Sequence, residues 1–291
     1  MADYSTIKGF TVQTLASDPY ASEVLAGTWA SGGNVNTTRS QLGGCGLLTA
    51  GLIVGGNVAP ASPSLTAVVE EYDGTSWTES GDLNTARQSA GACGIQTAAL
   101  AITGYATDYT AVVESYNGTS WTEIADLNAV RASIIAAGTT TAAVSAGGQG
   151  PGGTVSANTE TWNGTSWTET NNLNKGRSYW QGGGSSTAAI GAGGYATPPT
   201  GNTGTVETWD GTSWTEVADL VRGATSSTRA AMATNAPNSS TLFYGGSSPV
   251  TATTESFNGT AWTEVADMAT ANDFGAGGGG SGSSAFWATG K

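Results

Sequence analysis

Histidine is absent from this chain of 291 residues. Its absence removes the commonest general base and the commonest metal ligand, and with them every Ser-His-Asp or Cys-His catalytic arrangement. Cysteine is nearly absent too, and the two that are present, Cys45 and Cys93, are too few for a structural zinc site. We therefore expect neither a bound metal ion nor another cofactor.

Positive charge is scarce as well. Lys and Arg together number 9 against 22 Asp and Glu, which gives a net charge of −13. Binding to nucleic-acid phosphates or to an anionic membrane needs many cations, so both kinds of partner are excluded. The sequence also lacks an apolar run long enough to cross a membrane, and its start, MADYSTIKGFTVQ, lacks the apolar segment of a signal peptide. We expect a soluble protein that is not exported by the usual signal.

Glycine and tryptophan are abundant instead, with 44 and 10 residues, and the tryptophans mark an internal repeat. Five of them follow one another at intervals of 44, 46, 47 and 48 residues: Trp77, Trp121, Trp167, Trp214 and Trp262. A period in the forties with glycine-rich turns is typical of β-propeller blades or of a repeat array. Each unit contains short β-rich runs and no amphipathic helix of three turns, which favours an all-β propeller.

One repeat unit, read from Arg87, contains four predicted strands, which we call a to d. They are QSAGACGIQ, TAALAITGY, TAVVESY and WTEIADL. Strand a is poor in large side chains, as expected where the inner strands of a propeller converge on a central axis. Strand d is polar and carries glutamate, as expected for an exposed outer edge that must not pair with other chains.

The connection between strands c and d is nearly identical in five units. Asn-Gly or Asp-Gly supplies the positive φ angles of a tight hairpin. Another aromatic residue precedes each of the five tryptophans by five positions, so a four-residue loop places the two rings opposite each other. These aromatics are Tyr72, Tyr116, Trp162, Trp209 and Phe257. Each pair contributes about 0.5–1.5 kcal/mol beyond its burial.

Charged residues recur at two fixed places in the repeat: a glutamate seven residues before each tryptophan, and an arginine that opens strand a in four units. They are Glu70, Glu114, Glu160, Glu207 and Glu255, with Arg39, Arg87, Arg131 and Arg177. The starts of strands a and c lie at the same face of an up-and-down blade, so we expect Glu–Arg bridges that tie blades together. One unit departs, because Ala224 stands at the aligned position of the arginine.

The two ends of the chain set the predicted number of blades. The stretch GTWASGGNVNTTR aligns with TSWTESGDLNTAR, which makes Trp29 a sixth repeat tryptophan on a strand d. Its strand c is expected within residues 9–26, and its strands a and b in NDFGAGGGGS and SAFWATG. Two strands from each end then complete one blade and remove the open edge of the ring.

These assignments predict a single domain of residues 1–291, a six-bladed β-propeller with four antiparallel strands per blade. The closing blade comprises residues 1–31 and 270–291, and the other blades are expected at about 39–80, 87–124, 131–170, 177–217 and 225–265.

The order of features resembles the kelch motif of β-propellers: an arginine-led strand, a Gly-Gly doublet, an aromatic shortly after a glutamate, then a spaced tryptophan. The doublets are Gly55-Gly56, Gly147-Gly148, Gly193-Gly194 and Gly245-Gly246, with Thr103-Gly104 in one unit. In its repeated NGTSWTE sequence and its lack of histidine, the chain also resembles kelch-like repeat proteins in the virions of phages, especially aquatic ones. This resemblance implies a structural virion protein, tail- or fibre-associated or decorating the particle, present in many copies.

Enzymes with a related architecture fit less well. Copper oxidases of the kelch type need histidine ligands. Sialidases are six-bladed and carry an Asp-box, S-x-D-x-G-x-T-W, between strands c and d. Here an aromatic occupies the aspartate position, and Asp73 and Asp210 lie one place away. We expect no enzymatic activity. A sialidase-like, glycan-active enzyme and a bacterial extracellular kelch adhesin stay open as alternatives, because carboxylate pairs cannot be assigned from sequence alone.

The two cysteines occupy equivalent strand-a positions of adjacent units, each sixteen residues after its tryptophan. Neighbouring inner strands of a propeller hold their Cα atoms beyond disulfide range. We therefore expect Cys45 and Cys93 to be buried free thiols.

Functional residues are expected where the repeats differ. The b–c loops vary in length and carry most of the prolines, and they share one face with the d–a loops. Recognition usually resides in loops on a rigid scaffold. Tyr105, Asp108, Tyr109 and Tyr195 are therefore candidate contacts. In one interpretation this face binds a host-surface glycan or protein, and in the other it docks onto neighbouring virion proteins.

A second irregularity is RSYWQGGG, in which Tyr179 and Trp180 replace small residues of the other units. Aromatic faces near an axial pocket suit contact with a sugar or a protein. In the alternative interpretation the two side chains plug the channel.

Overall fold

The computed structural model describes residues 28–58, 65–197, 200–225 and 227–288, and their regular structure is β apart from one 3-10 turn at Pro151–Gly153. Within these ranges no helix is long and apolar enough to span a membrane. The prediction of an all-β fold is confirmed, and the arrangement of small antiparallel sheets is propeller-like.

Four-stranded antiparallel sheets repeat along the chain, and in each of them strand a pairs with b, b with c, and c with d. The strands of sheet 1 are β1 Gly43–Leu47, β2 Ala50–Val54, β3 Val69–Tyr72 and β4 Trp77–Glu79; those of sheet 2 are β5 Gly91–Ile95, β6 Ala98–Tyr105, β7 Tyr109–Tyr116 and β8 Trp121–Glu123; and those of sheet 3 are β9 Ile135–Gly138, β10 Ala143–Ala146, β11 Thr159–Trp162 and β12 Trp167–Thr170.

The second half of the chain continues this order, with one elaboration. Its strands are β13 Gly176–Ser178, β14 Gln181–Ser185, β15 Ala188–Ala192, β16 Tyr195–Thr197, β17 Gly201–Asn202, β18 Val206–Trp209, β19 Trp214–Val217, β20 Ala231–Met232, β21 Thr241–Tyr244, β22 Thr254–Phe257, β23 Trp262–Val265, β24 Ala276–Ser281 and β25 Ser284–Ala288. Sheet 4 is β14-β15-β18-β19, and the short sheet β13-β16-β17 accompanies it. Sheet 5 is β20-β21-β22-β23, and sheet 6 is the pair β24-β25.

The first strands of the six sheets lie side by side around an axis. β1 contacts β5, and the contacts run on through β9, β14, β20 and β24, which in turn contacts β1. Small residues dominate these strands because their neighbours leave little room. A Cβ on Gly44 would stand 2.7 Å from the Cβ of Ala276. The high glycine content of the first strands thus follows from the convergence of these strands on the axis.

Hydrophobic side chains fill the space between adjacent sheets. In one such cluster Leu100, Ile102 and Val113 of sheet 2 meet Trp162 and Trp167 of sheet 3. Burial of each large apolar side chain contributes about 1.5–3 kcal/mol. The repeat therefore holds together through contacts between one sheet and the next.

The c–d hairpins have the register that the spacing predicts. Tyr116 is the partner of Trp121 in sheet 2, and their ring centroids lie 4.8 Å apart. The turn between them closes on Asn117, whose Oδ1 accepts hydrogen bonds from the N–H groups of Thr119 and Ser120. The same aromatic partnership recurs in the hairpins of sheets 1, 3, 4 and 5.

Arginine and glutamate form a buried ion pair in each unit, as sheet 2 illustrates. Arg87 Nη2 lies 2.9 Å from Glu114 Oε1, and both side chains are fully buried. The other carboxylate oxygen accepts hydrogen bonds from the backbone N–H and Nδ2 of Asn84, on the connection from sheet 1. Arg87 lies on the same connection, where its N–H donates to Thr66 and its carbonyl accepts from Gly56, both of sheet 1. The arginine and the asparagine therefore both tie this connection to the glutamate of sheet 2. The corresponding pairs are Arg39–Glu70, Arg131–Glu160 and Arg177–Glu207.

Sheet 5 obtains its ion pair from another backbone position. The carbonyl of Arg177 accepts a hydrogen bond from Gly148, and the carbonyl of Ser227 accepts the corresponding bond from Gly194. Ser227 is therefore the counterpart of the arginines, and the alignment with Ala224 is wrong because the connection into sheet 5 is longer than the others.

Arg222, on that longer connection, supplies the missing guanidinium. Its Nε donates to Glu255, and its Nη1 and Nη2 donate to the carbonyls of Gly245 and Thr253 at 2.7 Å each. Arg177 reaches the equivalent groups of sheet 4, the carbonyls of Gly193 and Thr205 and the carboxylate of Glu207. The buried glutamate is thus neutralised in all five four-stranded sheets.

Trp29 packs beside sheet 5 in the way a strand-d tryptophan does. Its Nε1 donates to Thr254 Oγ1 at 3.1 Å, as Trp214 Nε1 donates to Thr159 Oγ1 at 2.9 Å. Residues 28–31 form no regular strand. The strand c predicted within residues 9–26 lies outside the described residues.

The two cysteines are buried and free, as predicted. Cys45 lies on β1 and Cys93 on β5. Burial raises the pKa of Cys45 to about 12 and raises the pKa of Cys93 as well, so neither thiol ionises at neutral pH.

Candidate binding site at the mouth of the axis

Six residues surround one end of the axis, each just before or at the start of a first strand. All adopt a left-handed backbone conformation with φ between 52° and 57°, which residues other than glycine rarely do. They are Gln41, Ser89, Ser133, Tyr179, Arg229 and Phe274. We call this set the mouth ring.

Backbone hydrogen bonds join the mouth ring from one member to the next. Ser89 N–H donates to Gln41 at 2.7 Å, and Ser133 N–H donates to Ser89 at 2.9 Å. Arg229 donates to Tyr179, Phe274 to Arg229, and Gln41 to Phe274, at 2.7–3.0 Å. These five N–H donors are therefore used within the ring, and its side chains are what the mouth offers to a ligand.

A cavity of about 90 Å³ lies beneath the ring, lined by the glycines and alanines of the first strands. Its far end is crossed by a loop of sheet 5. Asn235 Nδ2 donates to the carbonyl of Gly94 at 2.7 Å, its Oδ1 accepts from Gly46 N–H, and its own N–H donates to Gly279. The axis is thus closed at this end, and the cavity is a blind pocket with room for several waters or a small polar group.

The mouth ring has an aromatic and cationic half. The Arg229 guanidinium carbon lies 4.3 Å from the ring centroid of Phe274 and 5.1 Å from that of Tyr179, within the range of cation–π attraction. The other half consists of small or uncharged polar side chains, Gln41, Ser89 and Ser133. The mouth therefore presents hydrogen-bonding groups on one side and ring faces with a positive charge on the other.

Arg229 differs from the other five arginines, each of which forms an ion pair with a glutamate. Its guanidinium makes no ion pair or hydrogen bond with another residue of the described ranges, whereas its buried Nε without a partner is a feature that it shares with Arg87, Arg131 and Arg177. A cation that the fold leaves without an acceptor is available to a ligand.

Aromatic side chains of the b–c loops continue the mouth outward. The hydroxyl of Tyr179 donates to Gln149 Oε1 at 3.1 Å, and that of Tyr109 donates to the same oxygen at 3.4 Å. Burial raises the pKa of Tyr109, with further contributions from Tyr179 and Tyr105, so this hydroxyl stays protonated. The rings of Tyr105 and Tyr109 meet edge to face at 5.3 Å. A tyrosine arc thus runs from the loop of sheet 2 to the mouth ring.

The structure brings together three of the residues predicted as contacts: Tyr105, Tyr109 and Tyr179. Asp108 is exposed in the same loop, and its Oδ1 accepts a hydrogen bond from the Tyr109 N–H at 2.7 Å. Tyr195 lies on β16, opposite Ser178 and Asn202. It does not line the pocket, and among the described residues no hydrogen bond or ring contact joins it to the tyrosine arc.

Trp180 lies in the core rather than at the surface. It is 1% exposed, and its ring centroid lies 6.0 Å from that of Trp214. A Cβ on Gly191 would stand 2.1 Å from Trp180, so this glycine makes room for the indole. The side chain fills space between sheets 3 and 4, and the residue also lies in the wall of the pocket beneath the mouth ring.

Sequence reasoning missed two of the three residues on the aromatic and cationic side of the mouth, Arg229 and Phe274, and also Gln149. The sequence does indicate the positions of the ring, because in four units the ring residue stands two residues after the arginine that opens strand a. The signal fails at Arg229, where the longer connection of sheet 5 displaces the alignment.

The described residues hold no cluster of three or more His, Cys, Asp or Glu that could bind a metal ion. Comparisons with known proteins support the fold alone. No family model and no curated protein matches the chain. Among solved structures, one described as "Structure of YjhT" has a TM-score of 0.67 and 12% sequence identity over 84% of this chain and 88% of that chain. At this identity the likeness extends to the propeller-like fold and not to an activity.

Proposed function

We propose that this chain is a non-enzymatic recognition module that binds its ligand at the mouth ring and the tyrosine arc. The observation that carries the proposal is the retention of large side chains at left-handed positions of the ring. Such a conformation costs about 1–2 kcal/mol for a residue with a Cβ, and glycine would avoid it. In a chain with 44 glycines, strain kept at the rim of a pocket indicates a functional role for the side chains.

We propose a module without catalytic activity because of the side chains that line the pocket. Most glycosidases use a pair of carboxylates. Among the described residues that line the pocket, the ionisable side chains are Tyr179 and Arg229. Turnover of a chromogenic sialoside that one carboxylate substitution abolished would contradict this part of the proposal.

The finer architecture is also a proposal: a kelch-like propeller of six blades, with residues 1–31 completing sheet 6. The closed circle of first strands and the strand-d-like hydrogen bond of Trp29 support it. Deletion of residues 281–291 removes all of β25 and should expose a blade edge, so we expect aggregation or unfolding. An unchanged melting temperature would contradict the closure.

The proposed setting is a phage virion, in which the module is tail- or fibre-associated or decorates the particle. The support is the resemblance of the repeated NGTSWTE sequence to kelch-like repeats in phage virion proteins. Many copies on one particle would each bind weakly to a host-surface glycan or protein, and avidity would raise the overall affinity. In the competing version the same face docks onto neighbouring virion proteins.

A glycan array and a cell-binding assay with the isolated protein test the proposal. We expect binding that Tyr179→Ala and Tyr109→Ala each weaken about tenfold, a loss of roughly 1.4 kcal/mol. Tyr195→Phe, outside the pocket lining, is the matched control and should bind normally. An absence of binding, together with an ordered interface over the mouth in an assembled particle, would favour docking. An absence of both would contradict the site.

A further inference from the structure

Arg229 has no anionic partner among the residues that the structure describes, although the chain is acidic. Asp and Glu number 22, and the other five arginines are neutralised by glutamate. No carboxylate of a described residue lies within ion-pair distance of Arg229, and none lines the pocket beneath it. Of the six arginines, all of which lie in the described ranges, Arg229 is the one without an ion pair.

The position of the guanidinium is also fixed. The rings of Phe274 and Tyr179 flank its central carbon, and the backbone of Arg229 is held on both sides by hydrogen bonds within the mouth ring. The planar guanidinium carries N–H donors in a fork that matches the two oxygens of a carboxylate. Because the side chain is held before a ligand arrives, little of its freedom has to be lost on binding.

We infer that Arg229 anchors a carboxylate at the mouth and that the module recognises acidic saccharides, meaning sugars whose rings carry a carboxylate group. This inference rests on the proposed function and names the ligand class of the same site. Gln41, Ser89 and Ser133 form the other half of the ring, where Ser89 Oγ donates to Gln41 Oε1 at 3.2 Å, and they offer uncharged polar groups for sugar hydroxyls. The aromatic half offers ring faces to the apolar C–H groups of a sugar.

An acidic peptide fits the mouth less well. Peptide recognition usually uses backbone hydrogen bonds, as when an extended peptide adds a strand to a sheet. Five N–H groups of the mouth ring already donate to neighbouring ring carbonyls. The mouth therefore offers side chains, and these suit a single charged and hydroxylated ring.

The test compares matched saccharides in a titration calorimeter with the full chain. The probes are oligosaccharides of galacturonate, alginate and hyaluronan, each beside its carboxyl-reduced counterpart, and a hexapeptide of glutamate. Loss of a hydrogen bond to a charged group corresponds to roughly tenfold to hundredfold in affinity. We expect at least one acidic oligosaccharide to bind tighter than its reduced counterpart by that factor, and added salt to narrow the gap.

Two variants locate the effect. Arg229→Gln removes the charge and should abolish the preference for the acid, while Arg229→Lys should keep part of it. Lys175→Gln removes one positive charge from another d–a connection and is the matched control, so it should leave the preference intact. Equal losses in Arg229→Gln and Lys175→Gln would mean a general electrostatic effect and would overturn the inference.

The remaining outcomes separate the inference from the proposed function. If the reduced saccharides bind as well as the acids, the inference is wrong while recognition at the mouth stands. If the glutamate peptide binds as tightly as the best saccharide, the ligand class is wrong. If no probe binds, the inference is overturned, and the cell-binding assay with Tyr179→Ala decides separately whether the mouth is a recognition site.

Discussion

The c–d hairpins and the mouth ring are both repeated features, and they repeat in opposite ways. In the hairpins the side chains recur, and the buried glutamate carboxylates behind them are satisfied inside the fold, as Glu114 is by Arg87 and Asn84. In the mouth ring the backbone conformation recurs, whereas the side chains range from serine to arginine. Repetition of side chains marks the scaffold of this molecule. In the proposed function, the positions where the backbone alone repeats are those whose side chains serve recognition.

The largest effect should come from breaking the scaffold at a buried ion pair. Glu114→Ala leaves the Arg87 charge buried without a partner and releases the Asn84 connection. Breaking a buried pair by removing one partner costs about 3–5 kcal/mol. Differential scanning calorimetry should show a lower melting temperature, by about 2–4 °C for each kcal/mol.

Glu123 provides the matched control for that change. It is the cross-strand partner of Glu114 in the same hairpin but is exposed to solvent. Glu123→Ala should change stability by no more than about 0.5 kcal/mol, as is usual for surface substitutions. Equal destabilisation by the two alanine variants would show that burial of the pair is not what matters.

Two adjacent residues, Tyr179 and Trp180, separate effects on binding from effects on stability. Trp180→Ala removes a side chain from the core between sheets and should cost about 3–5 kcal/mol of stability. Tyr179→Ala, one residue away, should cost much less and should instead weaken binding. Thermal melts and binding measurements on both variants check this division. A Trp180→Ala protein with normal stability and lost binding would place the tryptophan, against its burial, in the site.

The scaffold could be predicted from the sequence because its determinants are local and repeated. The spacing of Tyr116 and Trp121 fixes the hairpin register, and the spacing of Arg87 and Glu114 brings their side chains to one face.

The exception is Arg222. It occupies the repeat position of Thr85, since the backbone N–H of each donates to the buried glutamate of its unit, and not the position of Arg177. Its guanidinium nevertheless reaches the same three acceptors as that of Arg177 does in sheet 4. The sequence pattern gives the backbone position of a residue. The ion pair depends instead on the position that its guanidinium reaches in the fold.

The candidate site could be predicted only in part. Tyr109 and Tyr179 stood out as large residues in variable places, and the structure joins them through Gln149. Arg229 carried no such signal, because an arginine is ordinary in this repeat and its lack of a partner is a property of the fold. Trp180 gave a misleading signal, since an indole unusual for its position serves the core.

The smallest effect tests the backbone strain that distinguishes the mouth ring. Ser133 has a left-handed backbone, and its hydroxyl makes no hydrogen bond with another residue that the structure describes. Ser133→Gly removes the steric cost of the Cβ, about 1–2 kcal/mol, and adds the entropic cost of glycine, about 0.5–1 kcal/mol. We expect a net gain in stability of about 0.5–1 kcal/mol.

Ser120→Gly, in the hairpin turn at an ordinary φ, brings only the entropic cost and should be destabilising. Denaturant unfolding of the two variants should therefore give changes of opposite sign. Two losses of equal size would mean that the ring stores no strain, and the left-handed positions would then give no reason to regard the mouth as more than scaffold.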